Sequence, residues 1–197
     1  MNTLKAEKRT MDTKAKRLRR EGYVTGNVFG REMEGSIPVK IEKSAVEKLL
    51  KTSNKGSQIM LDVDGQSYDV LIKEIQFNPL KGQVDEIDFQ ALVSNEKVHS
   101  VAEIVLLNHD KLAAGVLQQH LEEISFRALP SALVDKVMVD VGDMKVGDVI
   151  KVKDLAIAQD TDVDLKTDLE AAVVSVAAVH VDPALEAEEE AAEEEAK

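Results

Sequence analysis

The chain has 197 residues and a formal net charge of −12, with 44% hydrophobic but only 3% aromatic residues, so its cores are expected to be aliphatic and its stacking platforms few. The absence of cysteine excludes a disulfide framework, a cysteine-ligated zinc and a thiol nucleophile. No run approaches the roughly 18 apolar residues that a membrane span needs, and the first residues lead into charge rather than an apolar signal core, so a cytosolic protein is expected, with two domains as the prior for this length.

The charge is divided unevenly. Residues 1–92 carry 16 Lys+Arg against 14 Asp+Glu, whereas residues 93–197 carry 9 against 23. Such asymmetry points to a nucleic-acid-binding first half joined to something else. From Thr3 to Arg20 there are eight basic residues against Glu7 and Asp12. The segment lacks the broad apolar face of a membrane-surface helix and reads as a charged arm whose cations could meet phosphates.

After Gly22 the chain breaks into short apolar segments, and Gly22, Gly26 and Gly30 read as turn or bulge positions. Ile37, Val39 and Ile41 alternate with polar residues, the period of a half-buried strand. Ser44 and Glu47 form a capping-box pattern ahead of Val46, Leu49 and Leu50, which predicts one short helix stopped near Gly56. Ile59, Leu61 and Val63 alternate up to Asp64-Gly65, and Tyr68, Val70 and Ile72 alternate after it, predicting a hairpin. A further turn is expected over Asn78–Gly82, between Ile75/Phe77 and Val84/Ile87/Phe89. Residues 1–92 thus read as a small β-barrel with a short helix.

Val93-Ser94-Asn95-Glu96-Lys97 is a polar bridge suited to a domain boundary. Beyond it the pattern predicts strands over 98–107, from about Glu122 to Ala128, around Val137–Val141, around Val149–Val152, and from Val173 to Val181. Residues 98–182 therefore read as a second β-rich domain. Residues 183–197 are almost entirely Glu and Ala with no apolar face, and read as a disordered acidic tail.

Little in the sequence suggests catalysis. His99, His109, His120 and His180 are scattered, without metal-ligand spacing. Asp85, Glu86 and Asp88 could supply an acid/base pair, but their spacing is also that of a solvated strand face. There is no phosphate-binding glycine loop and no nucleophile elbow.

The run Arg17-Leu18-Arg19-Arg20-Glu21-Gly22, followed by Val24-Thr25-Gly26 and Val28-Phe29-Gly30, closely resembles the signature of the bacterial large-subunit ribosomal protein L twenty-five family, in the long two-domain form also called general stress protein Ctc. The resemblance continues through Gln76–Gly82 and Ile87-Asp88-Phe89, and into the second half at Gly115, Leu117, Pro130, Val139–Val141, Gly147-Asp148 and Asp154-Leu155. It implies a six-stranded β-barrel that binds 5S ribosomal RNA, a second β domain, a place in the large ribosomal subunit in the cytoplasm, and no enzyme activity, cofactor, metal or small-molecule substrate. Neighbouring ribosomal proteins would be further contacts.

Carried over by matching motifs, the RNA-binding residues are Lys14, Lys16, Arg17, Arg19 and Arg20 of the basic run, Arg9 before it, the aromatic Phe29, and Lys73, Gln76, Glu86 and Asp88. Glu86 stands where the family usually has histidine, Phe29 replaces tyrosine and Thr25 replaces proline. Glu86 is the residue with the wrong sign for phosphate unless it meets an amino group or a cation. The alternative from another class is a stress-related adaptor acting through protein contacts of the C-terminal domain. A more distant one is a hydrolase using Asp85, Glu86 and Asp88. RNA binding requires Arg17, Arg19 and Arg20 to share a face with Gln76 and Asp88, and an adaptor does not.

Overall fold

A computed structural model describes residues 3–10, 12–111 and 115–178. The acidic tail and the end of the expected last strand, Val179 to Val181, lie outside the described residues. The elements of the first half are β1 (Thr3–Lys8), α1 (Ala15–Arg20), β2 (Tyr23–Phe29), β3 (Ile37–Glu42), α2 (Lys43–Leu49), β4 (Gln58–Val63), β5 (Gln66–Asn78) and β6 (Gln83–Ala91).

Six strands close into a barrel in the order β1-β3-β2-β6-β5-β4. Two pairings are parallel, β1 with β4 and β2 with β6, and the other four are antiparallel. Strand alternation sends Leu4, Val24, Val28, Val39, Ile41, Ile59, Leu61, Val63, Val70, Ile72, Ile87 and Phe89 inward to one aliphatic core. The Asp64-Gly65 hairpin forms as expected, both residues at positive φ (52° and 88°), the geometry that matches strand twist.

Gly26 is not a turn or bulge residue. It lies within β2, where a Cβ would stand 2.0 Å from the carbonyl oxygen of Ile87, so the parallel approach of β2 to β6 depends on its missing side chain.

The expected short helix is α2, with Val46 and Leu49 buried. Its start differs from the capping-box reading. β3 runs directly into the helix at Glu42, and the amide of Lys43 donates to the carbonyl of Gly22 at 3.0 Å. One of the end donors is thereby satisfied by the backbone, and the Ser44 hydroxyl donates instead to the Glu42 carboxylate at 2.8 Å.

The basic arm is also corrected. Its first part is a barrel strand, β1, and its second part is a helix, α1, so the described residues of this half hold two α-helices. Leu18 of α1 is buried, and Gly22 at φ 90° ends the turn.

The second half contains β7 (Val98–Leu107), β8 (Val116–Gln119), β9 (Glu123–Ala128), β10 (Lys136–Asp140), β11 (Val149–Lys151), β12 (Val163–Leu165) and β13 (Ala172–Ala177). They form a four-stranded sheet, β10-β7-β9-β12, and a three-stranded sheet, β11-β13-β8. Side chains from both sheets, among them Ala102, Ile104, Ile124, Phe126, Val137, Val139 and Val174, fill a second core.

The barrel and the second domain meet on a polar seam. Gly56, at φ 90°, lies so close to β7 that a Cβ would stand 1.9 Å from the Val101 carbonyl oxygen, and the Ser100 hydroxyl donates to the Gly56 carbonyl at 3.3 Å. Asn54 donates to Glu103 at 2.6 Å, Lys55 pairs with Glu123 at 3.2 Å, and Lys73 donates to the His99 carbonyl at 2.8 Å.

Candidate nucleic-acid interface

The inward register of Val24, Val28, Ile87 and Phe89 fixes what faces out. Thr25, Asn27 and Phe29 of β2 lie on the outer surface beside Glu86, Asp88 and Gln90 of β6. In the next pairing, Gln76 of β5 is the register partner of Glu86, and Glu74 is that of Asp88. One outer face of three strands therefore carries Thr25, Asn27, Glu86, Asp88 and Gln76 together.

Helix α1 is fastened to this face by Arg19. Its Nε donates to the Asp85 carbonyl at 3.0 Å, and its Nη2 reaches the Thr25 hydroxyl at 3.3 Å and Glu86 Oε2 at 3.4 Å. The Thr25 hydroxyl also lies 3.4 Å from the Asp85 carbonyl, which explains how this polar residue is tolerated at 1% exposure. Glu86 thus meets the cation that its sign demands. Arg19, one of the expected RNA contacts, is already committed to holding the helix in place.

The remaining cations of the run point outward. Lys14, Lys16 and Arg20 are exposed, and among the described residues their side chains make no recorded hydrogen bond or ion pair. Arg17 is exposed and pairs with Glu21 at 2.8 Å, one turn along the helix, which holds its already high pKa higher still. Arg9 donates through Nε and Nη2 to the Thr13 carbonyl, at 3.3 and 3.0 Å, closing the loop from β1 into α1.

Asp88 Oδ1 accepts from the Asn27 amide at 3.0 Å and from Asn27 Nδ2 at 3.3 Å, so it is oriented by its neighbour on β2. Asp85 accepts from Asn78 at 3.0 Å and Gln83 at 3.2 Å; these bonds, Asn78's first, hold its carboxyl below the usual range, aided by the charge of Arg19. Gln76 is exposed, with its amide open to solvent, and Phe29 is 37% exposed at the far end of β2 from α1.

The structure therefore gathers Arg19, Gln76, Glu86 and Asp88 on one face with α1 beside it. It does not bring Lys73 there. That residue sits at an irregularity of β5 between Ile72 and Glu74, and its side chain reaches the second domain. Residue-by-residue matching missed Asn27, the partner of Asp88, although the alternation of β2 puts it on the same side as Thr25. It also gave no hint that the Asp85 carbonyl anchors the helix.

The three carboxylates of the hydrolase reading are each engaged, Asp85 by amides, Glu86 by arginine and Asp88 by asparagine. Asp85 is held below its usual range, away from the neutral form that a general acid requires. No group of three or more histidine or acidic side chains among the described residues could hold a metal. An ordered sheet face bearing amides and paired charges, flanked by a short cationic helix, is the equipment of a binding protein.

Comparison with known proteins gives that class its particular family. Residues 4–89 match the Ribosomal L25p family, and residues 97–180 match the C-terminal domain of ribosomal protein TL5. The large ribosomal subunit protein bL25 of Caldanaerobacter subterraneus subsp. tengcongensis is 31% identical, over 88% of each chain. That of Bacillus velezensis is 31% identical, over 98% of this chain and 94% of its own, and that of Geobacillus thermodenitrificans is 34% identical, over 71% and 67%. The chain belongs to the bL25 family of bacterial ribosomal proteins, in its long two-domain form, and the family is structural rather than enzymatic.

Proposed function

We propose that the chain, as a constituent of the large ribosomal subunit, binds 5S ribosomal RNA through α1 and the outer face of β2, β6 and β5. The observation that carries this reading is the position of Glu86. It touches Arg19 of α1 on one side and is the register partner of Gln76 on the other, so the cationic helix and the strand-borne polar groups share one surface.

The division of labour follows from exposure and from what already engages each group. Lys14, Lys16, Arg17 and Arg20 supply the sequence-independent attraction to phosphates. Gln76 presents donors and an acceptor to base edges, and Asp88, aimed by Asn27, accepts from a base amino group. A-form RNA hides its major-groove edges from side chains unless an irregular loop widens the groove, so a rigid face of this kind selects an irregular helix by shape. Phe29 offers an apolar ring at the end of the same face, and Arg9 adds a cation where β1 turns into α1. Arg19 and Glu86 act by holding α1 against the sheet.

The test is a binding titration of the full chain against 5S ribosomal RNA at several salt concentrations. Each phosphate contact is expected to contribute about −0.7 to −0.9 to the slope of log affinity against log salt. A protein that binds unrelated structured RNA equally well does not have this function.

A further inference from the structure

Lys73, set apart from the face just described, lines a crevice of about 520 Å³ between the barrel and the second domain. The barrel contributes Lys55 and Lys73 to its wall, and the second domain contributes His99, Ser125 and Lys166. Lys166 is unexpected here on charge grounds, because residues 98–178 carry seven Lys+Arg against fourteen Asp+Glu.

The lysines are unevenly satisfied. Lys55 is shared between the two oxygens of Glu123, at 3.2 Å each. Lys73 donates only to the neutral His99 carbonyl, which leaves two of its three N–H donors free. Burial, and then the charge of Lys55, push its pKa down, which is the mark of an ammonium with no carboxylate to answer it. Lys166 is held in place by its backbone, whose amide donates to the Ser125 carbonyl at 2.9 Å, while its side chain makes no recorded hydrogen bond or ion pair. Arg127, the register partner of His99, lies on the same side of the sheet and donates to the Lys97 carbonyl at 3.4 Å. Glu74 is the one acidic side chain of the wall, and it is exposed.

Lys73, partly desolvated and without a carboxylate partner, is stabilised by an anion with several acceptor oxygens, and Lys55 and the exposed Lys166 on the same wall add to the attraction. Lys73 also lies three residues from Gln76 on β5, about 10 Å along the strand, so one polyanion can extend from the barrel face into the crevice. We infer that the crevice is a second phosphate site for the same RNA, in which Lys166 of the second domain joins Lys73 and Lys55 of the barrel in clasping the sugar–phosphate backbone. The inference rests on the proposed RNA-binding function and gives the second domain a direct part in it.

The experiment is fluorescence anisotropy of labelled 5S ribosomal RNA with the full chain across a salt series, comparing Lys166→Gln with Lys145→Gln, an exposed lysine outside the crevice. Lys166→Gln is expected to weaken binding several-fold and to flatten the log–log slope by about 0.7 to 0.9, with Lys145→Gln unchanged. If Lys166→Gln matches the wild-type chain while Lys16→Gln with Arg20→Gln weakens binding, the crevice is refuted and the barrel interface stands. If the wild-type chain shows no preference for 5S ribosomal RNA, that specificity is lost. The crevice then stands or falls on whether Lys166→Gln still weakens binding to the unrelated RNA. A parallel titration with inorganic tripolyphosphate follows the amide resonances of His99 and Ser125. Shifts there with RNA affinity unaffected by Lys166→Gln assign the crevice to a free phosphate compound and overturn the RNA proposal.

Discussion

The two halves of the molecule solve the same packing problem in opposite ways. Both bury aliphatic side chains around a single large aromatic, Phe89 in one core and Phe126 in the other. The barrel closes its hydrogen bonding on itself, which leaves no open edge and frees its outer face to carry oriented polar groups. The second domain stacks two open sheets and spends its inner faces on one another. Closure makes a display surface, whereas stacking makes an acidic body that lends Lys166 to the crevice beside the barrel.

The strongest way to break this contrast is to empty each core in turn. Phe89→Ala and Phe126→Ala should each cost about 3–5 kcal/mol in urea unfolding. Phe89→Ala is expected to abolish RNA binding. Phe126→Ala should retain the part that belongs to α1 and the barrel face, and its complete loss of binding would show that the barrel does not act by itself.

A smaller effect is expected at the seam. Gly56→Ala places a methyl group against the Val101 carbonyl and forces an unfavourable φ, at a cost of about 1–3 kcal/mol. The change should appear as faster hydrogen exchange at Gly56 and at Ile72, whose amide donates to the Ser57 carbonyl, with the core of the second domain protected as before.

The pair Arg19 and Arg20 separates support from contact. Arg19→Ala should cost about 1–2 kcal/mol of thermal stability, because it removes charged hydrogen bonds that are only partly screened by water. Arg20→Ala should cost under about 0.5 kcal/mol while weakening RNA binding, since its side chain is exposed and bonds to none of the described residues. Equal stability losses in the two variants would overturn the distinction.

The smallest effect concerns acid. In the second domain the Glu170 carboxylate accepts from Lys151 at 2.8 Å and Lys153 at 2.9 Å, and these bonds, Lys151's first, lower its pKa from 4.5 to about 2. A carboxylate depressed on folding contributes stability above its unfolded pKa and loses it as pH falls through the folded value, here from about 4.5 to about 2. Side-chain NMR of Glu170 should show the late protonation. Glu170→Gln should make unfolding of the second domain less dependent on pH across that window.

How much of this was legible in the sequence varied with distance along the chain. The Asp64-Gly65 hairpin and the strands beside it were readable because turn chemistry and alternation are local. The basic segment was misread as an arm because β1 buries only Leu4 and Ala6, and α1 only Leu18, too few apolar side chains to show a period. The parallel pairings of β1 with β4 and of β2 with β6 have no local signal at all. The same holds at the candidate site. Glu86 was recognisable as an anomaly, but its partner Arg19 is 67 residues away, and Asn27 is 61 residues from Asp88. Family resemblance named the residues, and only the fold shows which of them stand open to solvent and which of them hold the others.

The two parallel pairings also impose an order on assembly during synthesis. β1 leaves the ribosome long before β4 exists to receive it, and β2 must wait for β6. Long-range pairing of this kind is slow compared with helix or hairpin formation. Until residue 91 has emerged, the nascent chain can offer only loose cations, because the anchor of α1, the Asp85 carbonyl, and the partners of Asn27 and Gln76 all lie on the last stave. The oriented face is thus a certificate of a finished ring, and a partner that needs that face will pass over incomplete barrels.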